Sequence, residues 1–189
     1  MNNYKIVFMG TPDFGIPSLN ELYKQGYEVE AVYTQPDRVN KRGNKVQFSA
    51  VKQFALEHDI TIYQPNSLKD EKELDVLRAL NPDLIIVIAY GKILPQAVLD
   101  IPKYGVINVH ASLLPKYRGA APVQRSIIDG EETTGVTIMQ LDAGMDTGNI
   151  IAEKSVSITP HMTSEDLFDV LSNVGAKLLI CLLYTSPSP

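Results

Sequence analysis

Apolar and polar positions along this chain follow two periods. Short apolar runs at 5–10, 29–34, 60–63, 84–89 and 105–109 have the length of strands buried on both faces. Helical spacing fills the gaps between them. In 49–58, Val51, Phe54 and Ala55 share one face behind a capping serine, Ser49, and in 71–80, Leu74, Leu77 and Leu80 recur at helical intervals. Strands alternating with helices of this length predict βαβ units. The expected fold class is therefore α/β, a doubly wound, mostly parallel sheet.

The pattern changes in three places. Segment 35–47 carries Asp37, Arg38, Lys41, Arg42 and Lys45 with Gly43 and few large apolar residues, and reads as a basic, mobile loop. Further on, Pro122 can open a helix ending near Gly130, followed by two strands at 135–141 and 149–158. Thr163 or Ser164 then caps a last helix with Asp166 in its first turn and Leu167, Leu171, Val174 and Leu178 as its apolar face. From Cys181 this periodicity is expected to dissolve, because the Ser-Pro repeat at 186–189 cannot continue a helix. One domain is thus expected over 1–179, with 180–189 an atypical tail that leaves leucines uncovered.

Composition narrows the function classes. A length of 189 residues suits one well-cored domain, and 17 basic against 22 acidic residues, a net charge of −5, argue against a strongly basic nucleic-acid binder as a whole. One cysteine excludes an internal disulfide and a cysteine-rich zinc site, which suits a reducing cytoplasm. No uninterrupted apolar run reaches the roughly 18 residues of a membrane span, and the first residues lead into a strand rather than a signal peptide. A cytoplasmic protein with no membrane partner is expected.

The chemistry-bearing stretch is Asn108-Val109-His110, where a buried strand runs out into the loop Ala111-Ser112-Leu113-Leu114-Pro115-Lys116-Tyr117-Arg118-Gly119. Open α/β sheets build their sites at the carboxyl ends of strands. Strand alternation puts the Asn108 amide and the His110 imidazole on one face, and Asp142 or Asp146 can add a carboxylate. Such a set suits acyl transfer to an amine. Gly10-Thr11-Pro12-Asp13-Phe14-Gly15 lacks both the dinucleotide and the P-loop glycine spacing, so it reads as a tight strand-to-helix turn or a wall of the cleft. His58 and His161 read as surface residues, and the three histidines have no metal-ligand spacing.

Together these segments resemble the methionyl-tRNA formyltransferase family over about 1–179. The resemblance is carried by Gly10-Thr11-Pro12-Asp13-Phe14, Gln35-Pro36-Asp37-Arg38, Ala89-Tyr90-Gly91-Lys92-Ile93-Leu94-Pro95, Asn108-Val109-His110 with Ser112-Leu113-Leu114-Pro115, Gly119-Ala120-Ala121-Pro122 and Asp142-Ala143-Gly144-Met145-Asp146-Thr147-Gly148. It implies a Rossmann-like domain that moves a formyl group from 10-formyltetrahydrofolate to the α-amine of methionine on charged initiator tRNA. No metal and a monomeric state are expected. Asn108 and His110 would be donors to the formyl oxygen, and Asp146 would take the amine's proton or stabilise a cationic His110. Ser112, Leu113, Leu114 and Pro115 would line the folate site, with backbone groups of Tyr90 and of the Asp142 loop meeting the pterin. Lys41, Arg42 and Lys45 would contact the tRNA.

The resemblance leaves relatives open, because the Asn-x-His and Ser-Leu-Leu-Pro pieces are common to 10-formyltetrahydrofolate enzymes. A related amino-sugar formyltransferase and a formyltetrahydrofolate hydrolase stay within it, and a folate-binding fragment without turnover lies outside enzymes. The loop Val39-Asn40-Lys41-Arg42-Gly43-Asn44 departs from the family, which usually has proline after Arg38. The family also continues into a basic β-barrel domain where this chain has Cys181 to Pro189.

Overall fold

A computed structural model describes residues 4–39 and 46–185. In chain order the elements are β1 (Lys5–Gly10), α1 (Ile16–Lys24), β2 (Glu28–Tyr33), β3 (Arg38–Val39), β4 (Val46–Gln47), α2 (Ala50–Glu57), β5 (Thr61–Tyr63) and α3 (Glu71–Leu80). They continue with β6 (Leu84–Ile88), α4 (Gln96–Leu99), β7 (Val106–His110), α5 (Pro122–Ile128), β8 (Thr133–Gln140), β9 (Ile150–Ser157) and α6 (Ser164–Thr185). Seven strands form one sheet in the order β5-β2-β1-β6-β7-β8-β9. The first five are parallel and the last two antiparallel, as the alternating pattern predicts. From β1 the chain winds outward to β5, then returns to lay β6 against the other side of β1. The winding direction reverses between β1 and β6, and ligands of open sheets bind at the carboxyl ends beside such a reversal.

Alternation along each strand divides the apolar residues between two cores. Ile6 and Phe8 of β1, Leu84, Ile86 and Ile88 of β6, and Ile107 and Val109 of β7 pack with α1, α2 and α6. Val7 and Met9, Ile85 and Val87, and Val106 face the opposite way, toward Leu74 and Leu77 of α3 and Val98 and Leu99 of α4. Asn108 and His110 share the second face with Val106. Helix starts follow their capping residues: Ser49 accepts from the Lys52 N–H, and Asp70 accepts from the Lys72 N–H. At α6, Thr163 Oγ1 accepts from the Asp166 N–H at 3.1 Å while Asp166 Oδ2 accepts from the Thr163 N–H at 2.8 Å.

Three stretches differ from expectation. The basic segment is not a plain loop: Arg38↔Gln47 and Val39↔Val46 pair as a small antiparallel ribbon whose side chains face solvent. Helix α1 is anticipated only by the strand-to-helix turn at 10–15, without bounds of its own, because Gly15 and Pro17 at its start mask the helical period of Leu19 and Leu22. The last helix runs through Cys181 to Thr185. Its row at i, i+4 intervals is Leu167, Leu171, Gly175, Leu179 and Leu183, and all four leucines are buried. A Cβ on Gly175 would stand 3.0 Å from Val109 Cγ1, so the missing side chain lets α6 lie close over β7. By length and composition α6 would satisfy a membrane span, yet its leucine row is packed into the first core, as in a core helix.

This packing sets a stability test. Removing the buried Leu183 side chain leaves a cavity under the sheet, so Leu183→Ala should cost about 2–4 kcal/mol in a urea titration. A residue on an unpacked tail would leave the midpoint unchanged.

Candidate active site

The carboxyl ends of β1, β6 and β7 open into a cleft of about 830 Å³, within the usual range for small-molecule sites. Its walls come from Pro12 and Phe14 after β1, 89–94 after β6, Asn108 and His110 of β7, 119–124 at the start of α5, and 141–146 after β8. Phe168 of α6 closes one side. The lining is largely apolar, with polar groups contributed by the loops after β6 and β8, by α5 and by β7.

His110 is 8% exposed and sits between two fixed oxygens. Its Nε2 lies 2.8 Å from the Tyr117 carbonyl, which only accepts, so this nitrogen carries the proton. Nδ1 is then the basic nitrogen of the neutral ring, and it faces Asp146 Oδ2 at 3.7 Å. Asp146 is itself held: its Oδ2 accepts from the Gly119 N–H at 2.7 Å. Asn108 lines the same cleft, and no hydrogen bond among the described residues engages its carboxamide. An amide donor, a basic ring nitrogen and a carboxylate therefore meet at one mouth. Chemically the set can hold a developing oxyanion and move one proton.

The other predicted residues are distributed differently. Asp142 lines the cleft, with Oδ1 accepting from the Gly144 N–H at 2.9 Å and the Thr147 hydroxyl at 2.8 Å, so it shapes its own loop. Tyr90 lines it too, but its carbonyl is already engaged by the Thr11 hydroxyl at 3.0 Å and the Gln35 amide at 3.2 Å. The Tyr90 phenol has no hydrogen-bond partner among the described residues, and burial pushes its pKa up to about 12. Ser112, Leu113, Leu114 and Pro115 stand outside the cleft. The Ser112 hydroxyl donates to the Lys116 carbonyl, the Leu114 N–H donates to Thr137, and Leu113 lines a separate smaller pocket of about 350 Å³. Lys41, Arg42 and Lys45 lie outside the described residues.

Residues without a site role in the sequence reading complete the walls. Gln35, where the chain leaves β2, donates to the Tyr90 and Gly91 carbonyls and so fixes the loop after β6. Gly91 is required there, with φ of 80° and a hypothetical Cβ only 2.5 Å from Gln35 Nε2. Behind Gln35, Gln64 donates to its carbonyl and to Asp37 Oδ1, while Lys52 Nζ meets Asp37 Oδ2. The root of the basic ribbon is thereby tied to the cleft wall. Tyr117 and Gly119, quoted only as loop residues, supply the groups that hold His110 and Asp146.

Residues 4–183 match the family model described as Formyl transferase. The chain belongs to this formyl transferase family. Over 177 residues it is 56% identical to the methionyl-tRNA formyltransferase of Clostridium perfringens, covering 93% of this chain and 57% of that protein. The chain thus spans little more than half the length of this curated relative. Among solved structures it superposes on phosphoribosylglycinamide formyltransferase from Bacillus halodurans with a TM-score of 0.79 at 24% identity, covering 97% of both chains. WlaRD, a sugar 3N-formyl transferase solved in the presence of dTDP and 5-N-formyl-THF, matches with a TM-score of 0.72 at 23% identity, over 98% of this chain and 63% of that one. Both structural likenesses confirm the Rossmann-like fold class of the family.

The ribbon root gives a pH test. Hydrogen bonds from Lys52 and then Gln64 hold the Asp37 carboxyl below its ordinary value of 3.8. A depressed folded-state pKa stabilises the protein above the unfolded value, and that stabilisation is lost as pH falls through the folded value. In urea titrations the wild type should exceed Asp37→Asn at pH 7. The gap should stay full down to the ordinary 3.8 and close only below it.

Proposed function

We propose that this chain is the catalytic part of a methionyl-tRNA formyltransferase, moving a formyl group from 10-formyltetrahydrofolate to the amine of methionine on charged initiator tRNA. The observation that carries the reading is the Asn108, His110 and Asp146 set at the mouth of one apolar cleft, in a chain 56% identical to a protein of that name. The cleft's volume and apolar walls suit a folate-sized donor. When bound, that donor supplies an electrophilic formyl carbon and a nitrogen leaving group.

The residues' parts follow from their hydrogen bonds. The amine forms a bond to the formyl carbon, the bond from that carbon to the folate nitrogen breaks, and one proton passes from the amine to the departing nitrogen. Asn108 is a free, buried amide two residues from His110 on the same strand face, so it donates to the charge gathering on the formyl oxygen. The His110 Nε2–H is engaged by Tyr117, which makes His110 the proton carrier through Nδ1 rather than a second oxyanion donor. Asp146 stands where it stabilises the imidazolium that results. Lys41, Arg42 and Lys45, lying in sequence between β3 and β4, add the positive charge a phosphate-rich partner requires. Residence in the bacterial cytoplasm belongs to the same reading.

The test is product analysis with the chain itself, 10-formyltetrahydrofolate and Met-tRNA. N-formyl-methionine on the tRNA is expected, with Asn108→Ala and His110→Ala each slowing the reaction by about 10²–10³-fold in single turnover. Formylation of a nucleotide-linked amino sugar with Met-tRNA untouched would overturn the acceptor assignment. Release of free formate without an acceptor would make the chain a hydrolase.

A further inference from the structure

The loop after β7 carries a clasp that the proposed chemistry does not explain. Tyr117 sits in the left-handed region at φ 56°, where a side chain larger than glycine's is strained, and its carbonyl accepts from His110 Nε2–H at 2.8 Å. Its phenol reaches across to the turn after α5. There Tyr117 Oη lies 2.9 Å from Asp129 Oδ2 and 2.8 Å from Glu131 Oε1, and Lys116 Nζ lies 2.8 Å from the same Glu131 oxygen. The desolvated phenol beside two carboxylates is driven above its ordinary pKa, so it remains a donor, while Lys116 and then Tyr117 hold Glu131 low and charged. At the loop's root, Thr137 donates to the Ser112 carbonyl at 2.7 Å and accepts from the Leu114 N–H at 3.1 Å. The segment is thus pinned at its root by Thr137 and further on by Tyr117 itself, the strained residue whose carbonyl meets the central histidine.

We propose that Tyr117 is a positioning residue: clasped to Asp129 and Glu131 by its phenol, it presents its main-chain carbonyl to His110 and locks the ring as the Nε2–H tautomer, with basic Nδ1 turned to Asp146. The proposal rests on the functional reading only for what that tautomer accomplishes. A neutral imidazole in water exchanges between tautomers, and only the one with a bare Nδ1 can take a proton on the Asp146 side. The acceptor-only carbonyl removes the choice, and the remote carboxylate pair keeps the strained backbone from relaxing away from it.

The experiment is nitrogen-15 NMR of the three histidines in the whole chain, with His110 assigned by its loss in His110→Asn. It is run at about pH 9, above the ordinary imidazole range. In the wild type, Nε2 of His110 should resonate as a protonated nitrogen and Nδ1 as a bare one. In Tyr117→Phe both should move toward a tautomer average, and kcat should fall about tenfold with the donor KM changed less than about twofold. Asp129→Ala/Glu131→Ala removes the clasp from its solvent side and should reproduce both effects, which keeps the test decisive if Tyr117→Phe does not fold. Asp129→Asn/Glu131→Gln keeps oxygen acceptors for the phenol and should retain the wild-type ring signals. Unchanged His110 signals in the clasp-deficient variants, or a wild-type ring protonated on Nδ1, would overturn the proposal. If the wild type transfers no formyl group, the functional reading falls while the ring signals still decide the clasp.

Discussion

Burial of β7 on both faces is the constraint on which the site depends. Every residue from Val106 to His110 is buried, so the strand can neither slip nor rotate without exposing one core to water. Ile107 and Val109 are locked into the first core by α6, which passes close enough that a Cβ at position 175 would press on Val109. With those two residues fixed, Asn108 and His110 must point the other way, into the cleft. A helix on one side of the sheet thereby holds the chemistry on the other.

The second contribution is backbone strain. Six described non-glycine residues have positive φ, and two of them, Asp59 and Asn81, simply end helices. The other four are Ala89, Tyr117, Ala121 and Asp146, three of them lining the cleft and the fourth bonded to His110. Each such conformation costs roughly 1–3 kcal/mol, so a stable fold retains it only where neighbouring contacts leave no other path. Here those contacts are visible: Gln35 on the loop after Ala89, the Gly119 N–H on Asp146, and the carboxylates on Tyr117.

How much of this could be read from the chain follows from what short-range patterns encode. The five parallel strands, the Ser49 cap and the pairing of Asn108 with His110 on one face are local facts of spacing found in the structure, and of the two cap candidates for α6, Thr163 and Ser164, Thr163 takes the role. The ribbon at Arg38 and Gln47 could not be read, because two-residue strands have no period and their partners are separated by a polar segment. The extent of α6 was hidden by Pro187, which limits a helix only near itself, while the leucine row had already continued to Leu183. The placement of Ser112, Leu113, Leu114 and Pro115 was carried by family resemblance. Ser112 and Leu114 hold the loop behind the histidine through Lys116 and Thr137, by hydrogen bonds that residue identity does not announce. Tyr117 was illegible for another reason: its part is played by a main-chain carbonyl, which every residue has.

Sheet order has a kinetic consequence. The β8–β9 hairpin closes a loop of only nine residues, 141–149, and can form from local contacts. The floor of the cleft cannot. β1 meets β6 through pairs such as Ile6↔Leu84, with an entire outward excursion of the chain between them. Loop-closure entropy must be met before that pairing returns any burial, which makes non-local parallel strands slow to assemble. The reversal that creates a place for a ligand is thus also the most distant junction in the sheet, and a nascent chain has no complete site until residues through Asp146 are available.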